Sequence, residues 1–281
     1  VEVQSGKESF VVEADQIVLS SGAIVTPQLL MLSGVGPSDH LGELGIPVVH
    51  HLPGIGKNFR DHPQTFIICK VKDGVRMDRL APRQQVGLRY TAEGSPHRSD
   101  MMMFMTSFAP GRIDRGGNPL EALGIQIIAS VFLAASQGEL TLTSLDPHVQ
   151  PFLDFHLLED AEDRRRMREA VRLAVDVFKH PDFKTIVAER IEPLDSDLES
   201  DDALDDWLMR EVTTGHHISC TAKMGPDSDP MAVVAHNGRV HGLEGLRVAD
   251  ASIMPDCVRA NINATAMMIG ERVADFIRDG V

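Results

Sequence analysis

The stretch TTGHHISCTAKMG, residues 213 to 225, sets His216 and His217 side by side ahead of a turn of small residues. Further along, RANINATAMMIG carries Asn261 and Asn263 in front of a helical pattern. An Asn before a helix usually caps it, and Asn263 is the natural cap for ATAMMIGERV. Asn261 lies too early for that and needs another account. An imidazole with a neutral carboxamide suits the oxidation of an alcohol by hydride loss. The base takes the hydroxyl proton while the amide steadies the alkoxide. Histidine fits the proton step because its unperturbed pKa of roughly 6.5 lies close to working pH. The residues alone leave a packed, structural role open for either imidazole.

Other chemistries are poorly supported. The chain has twelve histidines, but His236 and His241 merely flank an NGRV turn, and His50 and His51 are adjacent. None has the spacing or the carboxylate partners of a zinc or iron site, so no metal is expected. Cys69, Cys220 and Cys257 form no C-x-x-C pair. That argues against a disulfide framework and points to a reducing compartment, hence an expected cytoplasmic location. There is no G-x-S-x-G, P-loop or G-x-G-x-x-G motif. A net charge of −14 disfavours nucleic acid and anionic membrane surfaces by repulsion. No apolar run approaches the roughly 20 residues that span a bilayer. The acidic run ERIEPLDSDLESDDALDDWLMREV reads as a solvated helix face and its entry loop.

The elements that must position these residues can be sketched from pattern. With 281 residues, 43% hydrophobic and 24% charged, the chain holds one large domain or two ordinary ones. Residues 1 to 20 read as a hairpin followed by a buried strand, QIVLSSG. TPQLLMLSG reads as a short helix with Thr26 as N-cap, Pro27 at the first helical position and Gly34 past the end. LPGIGKNFRDHP marks a change of regime. Strand-like runs follow (TFIICKV, the methionine-rich RSDMMMFMTSFAPG, QIIASVFL and GELTLTSLDP). The methionines suit adaptable core filling or the lining of an apolar cavity. EDAEDRRRMREAVRLAVDVFKHP is a helix with Met167, Val171, Ala174 and Phe178 on one face, ended by Pro181. LEGLRVADASIMP is a buried strand and loop. NATAMMIGERVADFIRDG is an amphipathic helix with Ala266, Ile269, Val273 and Phe276 inward and Gly280 beyond its end.

Several ordered motifs resemble the glucose–methanol–choline (GMC) flavoprotein oxidoreductases. SGAIVTPQLLMLSGVGPSDHLGELGIPVVHHLPGIGKNFRDHP is similar to the family's second signature and its Asn-x-x-Asp-His run. GELTLTSLDPHVQPFLDFHLLEDAEDRRRMREAV looks like its substrate-domain strand and helix. HHISCTAKMG through ERVADFI resembles its C-terminal active-site region. The resemblance implies FAD as cofactor and a small alcohol as substrate, in the manner of choline dehydrogenase-like enzymes. It implies α/β pieces of a FAD-binding domain at residues 1–62 and 216–281, flanking an α+β substrate-binding domain with an antiparallel sheet at 63–215. It also implies roles: His217 as base, Asn261 holding the substrate oxygen, and His216 packing against or lining the substrate pocket. Asp250 and Ala251 would end the strand that reaches the flavin. The backbone of Ile262, Asn263 and Thr265 would meet the isoalloxazine pyrimidine ring, where a helix N-terminus favours negative charge.

Lyases and light-driven decarboxylases share this fold, so fold alone does not choose the reaction. The His217/Asn261 pair favours dehydrogenation. The family's dinucleotide fingerprint and flavin-attachment segments would lie ahead of Val1. The chain is therefore expected to be a truncated or cleaved product, or one piece of a split enzyme. It would lack its N-terminal FAD-binding segment as partner, with a non-catalytic remnant as the alternative.

Overall fold

In the computed structural model, which describes residues 1–76, 78, 80–107 and 124–281, the two ends of the chain come together. Strands β1 (Glu2–Ser5) and β2 (Glu8–Val11) form the expected antiparallel hairpin, and β3 (Ile17–Leu19) follows. Helix α1 spans Gly22–Leu32, so it begins four residues before the expected Thr26 cap. The reason lies far along the chain. Pro27 cannot donate to the Ala23 carbonyl; the hydroxyl of Thr221 donates to that carbonyl instead, at 2.6 Å. Thr26, one turn into the helix, accepts from Ser21 N at 3.1 Å and donates to Asp250 Oδ2 at 2.6 Å. Gly34 sits just past the end at φ +81, where an added Cβ would lie 2.4 Å from the Pro47 carbonyl. Then β4 (Val35–Gly36) pairs in parallel with β5 (His50–His51) across α2 (Ser38–Glu43).

The middle of the chain builds the antiparallel sheet. Strands β6 (Pro63–Val71), β7 (Gln84–Tyr90), β8 (Met101–Ser107) and β9 (Gly124–Val131) enter it, and β10 (Glu139–Thr141) pairs with β11 (Phe152–Asp154) outside it. Next come α3 (Ala161–Phe178), α4 (Pro181–Lys184), β12 (Val187–Glu192), α5 (Asp201–Glu211) and β13 (Thr213–Thr214). Among the described residues the sheet has six strands in the order β12-β6-β9-β8-β7, with β13 also on β6. Alternation sends Ile67, Cys69, Met101, Met103, Ile125, Ile127 and Ala129 to one face. There they bury against Met167, Val171, Ala174 and Phe178 of α3 and Leu204 and Trp207 of α5. Met101 and Met103 are thus core filling; residues 108–111, the end of that run, lie outside the described residues. Helix α3 ends at Phe178, and Pro181 opens α4 instead of stopping α3. The acidic run forms β12, a 3₁₀ turn and α5, with Asp201 and Asp205 paired to Arg168 of α3.

Strand β14 (Leu246–Val248) and helix α6 (Asn263–Arg278) close the chain. β14 pairs in parallel with β3, Leu246 opposite Ile17. A second core joins Leu30, Met31, Phe59, Val233, Val248, Ile253, Ile269 and Val273, together with Leu140 and Leu142 from the middle of the chain. β3 is less buried than its apolar sequence suggests: Val18 is 40% exposed, because the β3–β14 ribbon has two strands among the described residues. The architecture is the expected one, α/β pieces flanking an α+β part with an antiparallel sheet. No helix among the described residues is long and apolar enough to cross a membrane.

Candidate active site

Two distant segments are laid side by side to make the site. The backbone of Arg60 exchanges hydrogen bonds with that of Ser219 at 3.0 and 2.9 Å, and Thr214 of β13 pairs with Pro63 of β6. Between them sits the carboxylate of Asp61, 5% exposed. Its Oδ1 accepts from His62 N at 2.7 Å and His217 N at 3.0 Å, and its Oδ2 accepts from the Thr214 hydroxyl. Burial pushes the Asp61 carboxyl above its ordinary value, more than those hydrogen bonds pull it down. The approach is close enough to require glycine at 215, where a Cβ would fall 2.6 Å from the His62 carbonyl. His216 then adopts φ +61, which turns the chain so that its own side chain is exposed and His217 faces inward.

The His217 ring is held at both nitrogens. Nδ1 lies 2.8 Å from Nδ1 of His62, and Nε2 lies 3.2 Å from the Asn261 carboxamide nitrogen. The two residues singled out for catalysis therefore converge. Burial lowers the pKa of His217; Asp61 opposes that shift and His216 adds to it. The imidazole is thus neutral near pH 7 and able to take a proton. His62 is fully buried and stacked on Phe132, with ring centroids 4.2 Å apart and planes 9° apart. Burial, and then the charge of His217, lowers its pKa to about 4.

The residues expected to reach a cofactor divide into two groups. Asp250 and Ala251 are buried, and the Asp250 carboxylate is already engaged, accepting from Gly22 N at 2.9 Å, Thr26 Oγ1 at 2.6 Å and Ser252 N at 2.8 Å. Its side chain fastens the start of α1 to the end of β14. Ile262, Asn263 and Thr265 instead lie at the opening turn of α6, next to Asn261. Asn263 is not the expected cap but the first helical residue. Ile262 before it has helical φ and ψ, so no extended residue presents a capping side chain. The first-turn amides of α6 are left without a capping acceptor. His216 lines a separate groove of about 570 Å³ with Gly22, Ala23, Gln28, Pro147 and Ile218. Among the described residues no group of His, Cys, Asp and Glu could hold a metal ion.

The sequence reading gave no role to Asp61, His62, Phe132 or Val258. The Asp-His pair in GKNFRDHP was visible, but nothing local indicates that its partner lies 155 residues away.

Comparison with known proteins fits this arrangement. Two family models described as GMC oxidoreductase match residues 1–64 and 134–270. The chain is 36% identical to the oxygen-dependent choline dehydrogenases of Stenotrophomonas maltophilia (strain R551-3) and Burkholderia pseudomallei (strain K96243), across 94% of its own length and 50% of theirs. Among solved structures, pyridoxine 4-oxidase from Mesorbium loti superposes with a TM-score of 0.89 at 26% identity, covering 99% of this chain and 54% of that one. An Aspergillus oryzae RIB40 formate oxidase variant, studied for its FAD modification, gives 0.81 at 25%, covering 94% and 54%. The chain thus spans about half the length of the relatives it matches. With the converging His217 and Asn261, the sheet arrangement and matches at both ends of the sequence, the chain belongs to the GMC oxidoreductase family.

Proposed function

We propose that this chain carries the proton-transfer half of an FAD-dependent alcohol oxidation, with His217 as general base. The supporting observation is the 3.2 Å approach of His217 Nε2 to the Asn261 carboxamide beside the open first turn of α6. Those uncapped amides suit an electron-rich flavin edge, so the residues fit the cofactor. FAD, when bound, supplies the acceptor for the hydride leaving the carbinol carbon. His217 Nε2 takes the hydroxyl proton, and the Asn261 amide donates to the developing alkoxide oxygen. The Asp61 carboxylate, hydrogen-bonded to the His217 backbone N–H, is the counter-charge for the imidazolium that forms. The product is the corresponding aldehyde or ketone. Anaerobic addition of a primary alcohol to the intact flavin-loaded protein should bleach the flavin absorbance. His217→Ala should keep the flavin and lose the bleaching; bleaching at the native rate in that variant refutes the role of base.

A further inference from the structure

His62 touches neither Asn261 nor open space, yet its contacts decide which nitrogen of His217 is free. His62 Nε2 lies 2.9 Å from the Val258 carbonyl oxygen, which can only accept. Of the two backbone contacts that favour a ring N–H, Val258 is the stronger and Phe132 the weaker, so Nε2 carries the proton of the neutral ring. The Cys257 thiol, 3.1 Å from the same nitrogen, is compatible because its sulfur can accept as well as donate. With its single proton on Nε2, His62 presents a bare lone pair at Nδ1. That lone pair faces His217 Nδ1 at 2.8 Å, so His217 must donate there. A neutral His217 bearing its proton on Nδ1 leaves Nε2 unprotonated, and the Asn261 carboxamide nitrogen there, which can only donate, asks for the same tautomer from the other end of the ring.

We infer that His62 is a positioning residue that selects the Nδ1–H tautomer of His217 and so presents Nε2 as the proton acceptor. This rests on the reading of His217 as base. A flip of the ring within its plane would give up both the Val258 and the His217 contacts. The ring is stacked on Phe132, and Phe132 is itself tied by its backbone N–H to the Asp100 carbonyl at 2.7 Å. The same contact serves before and after the proton moves, because imidazolium also donates from Nδ1. His62 cannot pass the proton on through Val258, a backbone carbonyl with no proton to give up in exchange.

Two variants separate this role from packing. Leu at 62 fills space but offers no acceptor; the Gln carboxamide can accept from His217 with its oxygen and donate to Val258 with its nitrogen. In the intact protein, His62→Leu should lower the rate of flavin reduction about 10- to 100-fold, the range that hydrogen-bond partners orienting metal-bound histidines show on removal. His62→Gln should recover most of that loss. The decisive readout is ¹⁵N NMR of the histidine rings in resting protein without substrate, which distinguishes Nδ1–H from Nε2–H imidazole. Native protein and His62→Gln should show His217 as the Nδ1–H tautomer, and His62→Leu a mixture. An Nε2–H tautomer in native protein, or an unchanged spectrum and rate in His62→Leu, overturns the inference; if His62→Leu does not fold, His62→Phe, which also offers no acceptor, takes its place under the same two outcomes. Since the spectrum needs no turnover, failure of the base assignment would show separately, as flavin reduction surviving in His217→Ala.

Discussion

Two polar clusters flank the turn after β9, and they use their charges in opposite ways. On one side Arg166 of α3, 2% exposed, pairs with Asp100 at 2.8 Å and with Asp163, both fully buried. Asp163 accepts from Ala135 N at 2.9 Å and Ser136 N at 2.7 Å, and Arg166 donates to the Leu133 carbonyl at 2.9 Å. Burial alone would raise the Asp100 carboxyl, but hydrogen bonds from Ser95 and Arg166 hold it below the ordinary range. Each carboxylate there is engaged in fixing backbone. On the other side, His62 and His217 are buried or half-buried, neutral, and linked so that one nitrogen ends beside Asn261. Phe132 lies between them, anchored by Asp100 and stacked on His62. A buried cation paired to two carboxylates gives rigidity; a neutral ring whose second nitrogen accepts only from the Asn261 amide gives chemistry.

The contrast can be broken from either side. The largest effect should be on rate: His217→Ala should slow flavin reduction about 10²- to 10⁴-fold, measured by anaerobic stopped flow, with little change in melting temperature. Arg166→Met should do the reverse. It leaves two buried carboxylates without their cation, at a cost of about 3–5 kcal/mol by denaturant unfolding. An unchanged unfolding midpoint would show that this cluster does not hold the turn. A third effect concerns pH. The folded pKa of His62 is lowered from 6.5 to about 4, so the unfolded chain binds a proton that the folded chain refuses. Stability should therefore fall as pH drops from ~6.5 to ~4, by roughly 3 kcal/mol in total, and then level off. His62→Gln should reduce that slope to the part contributed by His217, whose pKa burial also lowers. Smaller again, Gly215→Ala forces a methyl against the His62 carbonyl, costing about 1–3 kcal/mol, and should lower activity by displacing His217 from Asn261. A variant as active and stable as the native protein would mean that the close approach at 215 is not needed.

Legibility in the sequence followed the range over which each feature is determined. His217 and Asn261 stood out because each sits in a short motif whose neighbours are already telling, and the structure brings them together. The buried face of α3 was readable from local periodicity, whereas the methionine run of β8 left core filling and cavity lining both open. The start of α1 was misplaced because what holds it is remote: Asp250 and Thr221 supply the hydrogen bonds that let Gly22 open the helix and Pro27 sit inside it. Asn263 looked like a cap because Asn usually is one; the helical geometry of Ile262 removed that option. The orienting role of His62 was invisible for the same reason, since it is created by a carbonyl 196 residues away and an imidazole 155 residues away.

The most direct test is the pH dependence of anaerobic flavin reduction in the intact protein and in His217→Ala. Burial lowers the His217 pKa, and only the neutral ring accepts the hydroxyl proton. The native rate should climb with pH through a step whose midpoint lies below the ordinary imidazole value, while the variant should be slow and show no such step. The same step at an undiminished rate in His217→Ala would contradict the account.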